Sequence, residues 1–512
     1  MTELTTLFRA GAKGILTLVI LVGVFSVVPR LSEIDPTSLW SIAEQMFPPR
    51  SEDTVSLLTA MNETLLVALV GTFLGFGVAL LLVLGFEGLS ERTIRLLSVP
   101  VWFSRGVPDV VYAVLLVQVF GLGPITGVLA LALGTFGVSG KLLLDAFQVR
   151  SKLTEVVFVR SGMSRVRILL TVVLPSLYRE ILGQFLLRLE INFRIAIVIG
   201  LVGGGGLGLQ LDRALGTMDY RSASMILLAI AIFVFGSESV ARIARNHVAA
   251  STGSMLNSRV VTWTPIGLAG LSAFYIILLI TEGDFRFSAP QALKLTSALV
   301  QPDFISQASA IGNGLIESAS LAAFSAFIVF PSALGVAVLS SVAATGRRKT
   351  SFVLRQIFGI ARGVPVAVLS LFLVVPFGLG PQTAFLALVI GGTLFIGRIA
   401  ADFLDNTSGE LAKLITRAGA SKALRAVVVL AQNRSRLLRL WYFTLDFTFR
   451  YSVILGILGS GGLGTVILNA IRVQDLSTVS AATILILSVV ASIELAQRVA
   501  GKETMSTAGH RK

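Results

Sequence analysis

The chain has 512 residues, of which 54% are hydrophobic and only 14% charged, with a mean hydropathy of +0.86. Soluble domains carry roughly 25% charged residues and single cores stop growing near about 250–300 residues, so apolar residues in such long blocks mark an integral membrane protein and exclude a cytosolic enzyme, a secreted disulfide scaffold and a nucleic-acid binder. The 42 Lys and Arg against 28 Asp and Glu give a net charge of +14, the surplus expected of basic cytoplasmic loops.

A bilayer core of about 30 Å needs roughly 20 apolar residues per helix. In chain order, spans are predicted near 13–30, 63–86, 98–120, 123–144, 180–202 and 223–243, then near 262–281, 317–341, 355–376, 382–403, 437–458 and 478–498. The first follows Arg9 and Lys13 and is read as a retained helix, because Val27-Val-Pro-Arg-Leu31 after it offers no small-x-small cleavage site. The spans 98–120 and 355–376 contain Arg105-Gly-Val-Pro108 and Arg362-Gly-Val-Pro365; a proline there kinks or interrupts a helix. The arginines are read as capping the break or facing a pathway. Segment 31–60 is acidic, with Glu33, Asp35, Glu44, Glu52 and Asp53 against Arg50, whereas 145–179, 344–355 and 404–439 are basic. This alternation predicts both termini and the basic loops in the cytoplasm.

The chain reads as a tandem repeat. Arg105-Gly-Val-Pro108 recurs as Arg362-Gly-Val-Pro365, Phe120-Gly-Leu-Gly-Pro124 as Phe377-Gly-Leu-Gly-Pro381, and Asp145 as Asp402, all at an offset of 257. Gly203-Gly-Gly-Gly-Leu-Gly208 matches Gly459-Ser-Gly-Gly-Leu-Gly464 at an offset of 256. Six spans per copy give both copies the same membrane orientation, a parallel repeat with a pathway expected between the halves. The predicted architecture is therefore an all-α polytopic membrane protein of about twelve transmembrane helices. Its repeats are 1–250, with a cytoplasmic loop at 145–175, and 251–512, with a loop at 402–434.

Several segments carry candidate chemistry. The basic loops contain Gly162-Met163-Ser164-Arg165 and Gly419-Ala420-Ser421-Lys422. From composition they read as helix–turn–helix segments at the membrane face, held either by lipid headgroups or by a protein partner. Glu190 and Arg194 sit four apart inside an apolar span, with Asn192 between them, and Asp446 and Arg450 repeat the spacing. Such a pair lies on one helix face, and a lone charge there would cost roughly 2.5–3.5 kcal/mol. The pairs either orient the span or line an anion's path. Gly203, Gly205, Gly206 and Gly208, with Gly459, Gly461, Gly462 and Gly464, permit positive φ and close backbone approach, suiting a gate or a flexible outer turn. The formal dinucleotide fingerprint in this run lacks the preceding strand it needs. Gly134-Thr-Phe-Gly-Val-Ser-Gly-Lys141 has the wrong spacing for a phosphate loop, so no nucleotide site is predicted. With no cysteine and two histidines, His247 and His510, no catalytic or metal site is predicted either.

Gly162 followed thirteen residues later by Leu174-Pro175 resembles the cytoplasmic loop of ATP-binding-cassette importer permeases. Glu155-Val-Val157 stands where that family has Glu-Ala-Ala, one residue further from the glycine than usual. The second copy keeps Gly419 but has Ala431-Gln432 for Leu-Pro and Lys413 at the Glu position. Leu189-Glu-Ile-Asn-Phe-Arg194 with the glycine run, and Arg105-Gly-Val-Pro-Asp109 with Gly121-Leu-Gly-Pro124 and Gly140-Lys141, resemble the phosphonate, phosphite and phosphate permeases of that family. The resemblance covers 60–245 strongly and 315–500 more weakly, and implies two permease copies fused in one chain. It implies that the two cytoplasmic loops couple to a dimer of a separate ATPase, which binds ATP and Mg²⁺ while this chain holds no cofactor. It also implies an extracytoplasmic substrate-binding protein as partner, a lipid environment at the plasma membrane and import of a phosphorus oxyanion. A permease for methionine or a quaternary amine, and an ion-coupled secondary carrier, are the alternative readings.

Overall fold

In the computed structural model, residues 19–24, 26–29, 44–50, 53–86, 90–149, 158, 163–250, 273–279, 281, 286–361, 364–419 and 421–509 are described. These residues contain helices and no strand. Six helices are individually long and apolar enough to cross a membrane, and eight spans result if each of two bent helix pairs counts as one. Of the spans expected at 13–30 and 262–281, eight of 18 and twelve of 20 residues lie outside the described residues.

The helices pack as two compact units, one of Met46–Leu293 and one of Met1–Gln45 with Lys294–Lys512. These units are not cut where the sequence repeats 1–250 and 251–512 are cut. Each repeat's leading segment falls in the unit built on the other repeat. Gly23, from the leading segment of the first repeat, lies against Ser320 and Phe324 of the second. Ser288 N–H donates to Val119 O at 2.9 Å and Phe287 packs on Phe120, tying the start of the second repeat to the first. Covalent order and packing order differ because an apolar helix is held by the surface that buries it.

In the unit Met46–Leu293, α1 (Thr54–Gly85) is capped by Asp53, which accepts from Val55 N–H at 2.9 Å. Next come α2 (Val99–Gly106), α3 (Asp109–Phe120), α4 (Pro124–Val149), α5 (Leu174–Ile199), α6 (Gly206–Gly216) and α7 (Tyr220–Ala250). The other unit repeats the order with α8 (Ala308–Ser340), α9 (Arg348–Ala361), α10 (Val366–Phe377), α11 (Pro381–Arg417), α12 (Lys422–Gln432), α13 (Arg434–Leu455), α14 (Gly462–Arg472) and α15 (Leu476–Gly509).

The Arg-Gly-Val-Pro motif breaks the span as expected. The helices 92–106 and 109–120 meet at 93°, because Val107 is extended and Pro108, with no amide hydrogen to give, starts α3. In the second copy Pro365 starts α10 in the same conformation, while Arg362 and Gly363 lie outside the described residues. Gly134, Gly137 and Gly140 form a stripe on α4 where the break docks. A Cβ on Gly137 would fall under 3.0 Å from the backbone of Ser104 and Arg105, and one on Gly140 would meet Val101 at 2.9 Å. The glycines that mimic a phosphate loop are therefore a packing surface, against backbone at Gly137 and against the side chains of Asp109 and Val101 at Gly134 and Gly140. Gly137→Ala is expected to destabilise the protein by about 1–3 kcal/mol through overpacking, read as a lowered thermal midpoint in detergent. Gly236→Ala, which meets nothing within 4 Å, should leave that midpoint unchanged.

Candidate functional site

Each repeat contains a second break, at the glycine run, and its geometry is the same in both. The end of α5 loosens into a π-helical turn over Gly200–Gly204, and α13 does so over Gly456–Ser460. The chain then reverses through glycines in the left-handed region: φ is +104° at Gly203, +83° at Gly205 and +69° at Gly206, against +102°, +93° and +72° at Gly459, Gly461 and Gly462. Only glycine takes these values without strain. Gly208 and Gly464 do a different job, letting α6 and α14 fold back onto the helices just left. A Cβ on Gly200 would stand 2.9 Å from Gly208 Cα, and one on Gly456 would stand 3.0 Å from Gly464 Cα. The run thus joins a bent helix pair, at 53° in the second copy.

The two motifs that flank this region in sequence meet in space. Gly123 N–H donates to Gly203 O at 2.8 Å, and the Leu122 side chain lies directly over Gly203. Leu379 covers Gly459 in the same way. Both leucines remain about two-thirds exposed, at 67% and 65%.

The amides that open α6 and α14 have no partner in their own helices, and α1 and α8 supply them. Thr64 Oγ1 accepts from Leu207 N–H at 2.9 Å, with the Glu63 carboxylate against Gly205. Ser318 Oγ accepts from Leu463 N–H at 2.9 Å, and Glu317 Oε2 from Gly462 N–H at 2.9 Å. Glu63-Thr64 and Glu317-Ser318 were overlooked in the sequence, although an acid followed by a hydroxyl recurs in an apolar span of each repeat.

The intramembrane charges are more extensive than the predicted pairs. Arg194 reaches Glu190 at 3.4 Å, as its spacing requires, and also Glu238 of α7 at 3.2 Å. Glu190 in turn pairs with Arg245. Two guanidiniums and two carboxylates, with Glu190 and Glu238 over nine-tenths buried, neutralise one another. In the second copy Arg450 Nε contacts both Asp446 oxygens at 3.0 Å.

A second polar cluster, on the other side of α5, joins that helix to α1, α3 and α4. Arg188 spans to Asp109 at 3.2 Å and to Thr135 at 3.3 Å. Asn192, fully buried, donates to Thr72 at 2.8 Å and Thr135 at 2.7 Å. Of this group the sequence reasoning singled out Asn192; Arg188 signals itself only as a further charge in the same apolar span. The corresponding residues of the second repeat are Thr444, Val366, Thr448, Ala326 and Gly392, and Thr444 and Thr448 bond back to their own helix.

The basic loops are partly described. Gly162 and Ala420 lie outside the described residues. Met163 N–H donates to Phe158 O at 3.2 Å, Ser164 is exposed, and Arg165 begins a single helical turn. In the second copy Gly419 is exposed with φ +75°, Ser421 caps α12 through Leu424 N–H at 3.3 Å, and Lys422 is the first residue of α12. The helix–turn–helix reading of this loop is borne out, with α11 running on to Arg417.

Arg188→Met would leave Asp109 facing a low-dielectric region without its partner. A loss on the order of 2–3 kcal/mol is expected, smaller than for a fully buried pair because Asp109 keeps some exposure. Adding Asp109→Asn to that variant should restore most of it, as read from thermal midpoints of the single and double variants.

Comparison with known proteins converges on this architecture. Residues 71–253 match the family model "Binding-protein-dependent transport system inner membrane component". Over 472 residues, 89% of this chain and 87% of the relative, the chain is 29% identical to a phosphate-import permease protein of Mycolicibacterium smegmatis. It is 29% identical over 38% of its length to a putative phosphite transport system permease protein of Stutzerimonas stutzeri, covering 71% of that protein. A phosphite transport system permease protein of the same organism is 28% identical over 41% of this chain and 78% of its own length. A repeated set of broken helices runs along the whole chain, and residues 71–253, in the first copy, carry the match to the inner membrane component of binding-protein-dependent transport systems.

Proposed function

We propose that this chain is the complete membrane pathway of an importer for a phosphorus oxyanion, both permease halves being supplied by one polypeptide. The observation that carries the substrate class is the similarity running through both repeats to a permease named for phosphate import. Phosphonate, phosphite and phosphate share the tetrahedral, multiply charged head that such a path would accommodate. In this reading a cytoplasmic ATPase dimer drives the cycle, an extracytoplasmic binding protein delivers the substrate, and both termini face the cytoplasm.

The segments 162–165 and 419–422 are the proposed coupling contacts, and the two copies are anchored by different forces. Behind the first, Ile168 and Val173 sink into an apolar cluster of Phe76, Val83, Phe86, Leu143 and Phe147. Behind the second, Arg425 donates to Ala343 O at 2.6 Å, while Asp405 accepts from Ser341 Oγ at 2.5 Å and Ala343 N–H at 2.9 Å and pairs with Arg355. Motion imposed on either loop would be passed to the α1–α4 or α8–α11 pair beneath it. The break at each glycine run is the proposed gate. Glu190, Asn192, Arg194, Asp446 and Arg450 are the proposed polar lining, with their charges compensated so that a passing anion is guided and not trapped.

The test is uptake of labelled methylphosphonate, phosphite and phosphate into proteoliposomes containing the chain with its ATPase and binding protein. Uptake of at least one, dependent on ATP and on the binding protein, is expected. Gly419→Val places a β-branched residue at φ +75° in an exposed turn, and should lower uptake at least tenfold with little change in the protein's thermal midpoint. Uptake that follows a proton or sodium gradient and ignores ATP would overturn the reading.

A further inference from the structure

The unit Met46–Leu293 carries a cavity of 260 Å³ where the start of α1, the end of α6 and the start of α7 meet. Its lining combines the polar Arg50, Asp53, Ser56, Gln210, Arg213 and Ser222 with the apolar Leu57, Met225 and Ile226. Its location is the end of the unit nearest segment 31–60, the outer side in the import reading.

The arginines here differ from those within the spans. Arg188, Arg194, Arg245, Arg355 and Arg450 each have a carboxylate within 4.0 Å. Among the described residues neither Arg50 nor Arg213 forms such a pair. The acids nearby lie beyond ion-pair distance of them: Asp53 caps α1 through Val55 N–H at 2.9 Å, Asp219 accepts from Ser222 N–H at 3.1 Å, and Asp212 adjoins Arg213 and interacts with its charge. Hydrogen bonds from the Ser222 side chain and backbone, with the positive charge of Arg50, hold the Asp219 carboxyl below the usual range. Gln210 Nε2 donates to Ser56 Oγ at 2.8 Å and Ser56 O at 3.0 Å, which fixes Ser56 so that its hydroxyl hydrogen is left to donate.

The lining is specific to one repeat although the helices are common to both. At the positions matching Arg50, Ser56, Gln210 and Arg213 the second copy has Phe304, Ala310, Val466 and Asn469.

We propose that this cavity is a binding site for a small phosphorus oxyanion, best fitted to one with a short alkyl substituent, held by the Arg50 and Arg213 guanidiniums and the Ser56 hydroxyl. Guanidinium forks match the geometry of tetrahedral oxyanions and bind them by charge-assisted hydrogen bonds. The wall of Leu57, Met225 and Ile226 receives the alkyl group. The site gives the first repeat alone a place to hold substrate at the outer face, and it rests on the import reading above for its orientation.

The test uses the full chain in maltoside detergent, which contains no phosphorus, and proton saturation-transfer NMR on the methyl group of methylphosphonate. Wild-type protein should give a saturable signal. The pair Arg50→Gln with Arg213→Gln should weaken apparent affinity at least tenfold, with an unchanged thermal midpoint. Arg50→Lys with Arg213→Lys should keep part of it, and Arg286→Gln, an exposed change elsewhere, should have no effect. Equal signals from wild type and the Gln pair overturn the site. So does acetate competing as well as phosphate, which identifies a receptor for acidic side chains. So does short-chain phosphatidylglycerol displacing the probe at concentrations where phosphate does not, which identifies a lipid headgroup site. ATP-driven uptake that persists while the NMR signal is absent removes this site and leaves the import function standing. Absence of any phosphorus-oxyanion uptake removes the import reading itself.

Discussion

Backbone that leaves a regular helix inside an apolar layer must find its hydrogen-bond partners within the protein, since no water is there to supply them. Everything distinctive in this chain follows from meeting that demand twice per repeat. At the Arg-Gly-Val-Pro break, proline removes one amide from the count and the glycine stripe of α4 lets the bent backbone press against a neighbour. At the glycine run, the donors that open α6 and α14 are met by Thr64 and by Ser318 with Glu317, from the long helices α1 and α8. The first full helix of each unit is thereby a clamp on the region where the last helices reverse.

The two repeats keep this skeleton and differ in what fills it. Around α5 the interior is polar, with Arg188, Asp109, Asn192, Thr72 and Thr135 in one connected cluster. Around α13 the equivalent space is aromatic: Phe395 stacks on Phe447 at 5.1 Å, Phe447 meets Tyr451 at 4.5 Å, and Phe324 stacks on Phe385 at 4.7 Å. A half-satisfied polar network costs more than an apolar core, so members of such a cluster are expected to be lost together, and the second copy lacks all five. Fusion of the copies permits this, because each half answers only to its own sequence. The same freedom separates the apolar seat of the first basic loop from the Arg425–Asp405–Arg355 seat of the second.

Charge inside the units follows one rule and departs from it in one region. Within the spans Arg188, Arg194, Arg245 and Arg450 are paired with carboxylates, as the cost of burying a lone charge requires. At the cavity beside α6 the arginines are left to face solvent, where desolvation costs nothing until a ligand arrives.

Much of this was legible in the linear chain. Long apolar blocks predicted a polytopic helical protein, recurrence of short motifs at offsets of 256 and 257 predicted two parallel copies, and the prolines at 108 and 365 predicted broken spans. These features are visible because helix length, repeat register and proline chemistry are local properties. Tertiary structure decided which residues meet. The Glu190–Arg194 spacing showed a pair, but Glu238 and Arg245, roughly fifty residues on, turned it into a balanced four-charge network. Glu63 and Thr64 gained meaning only when α6 was brought to them from 143 residues away in sequence. Gly134, Gly137 and Gly140 changed from an imperfect phosphate motif into a docking stripe once the broken span lay across them. The leading segments joined the opposite repeats because burial of an apolar face is settled by whichever surface fits it, and that surface is assembled only by folding.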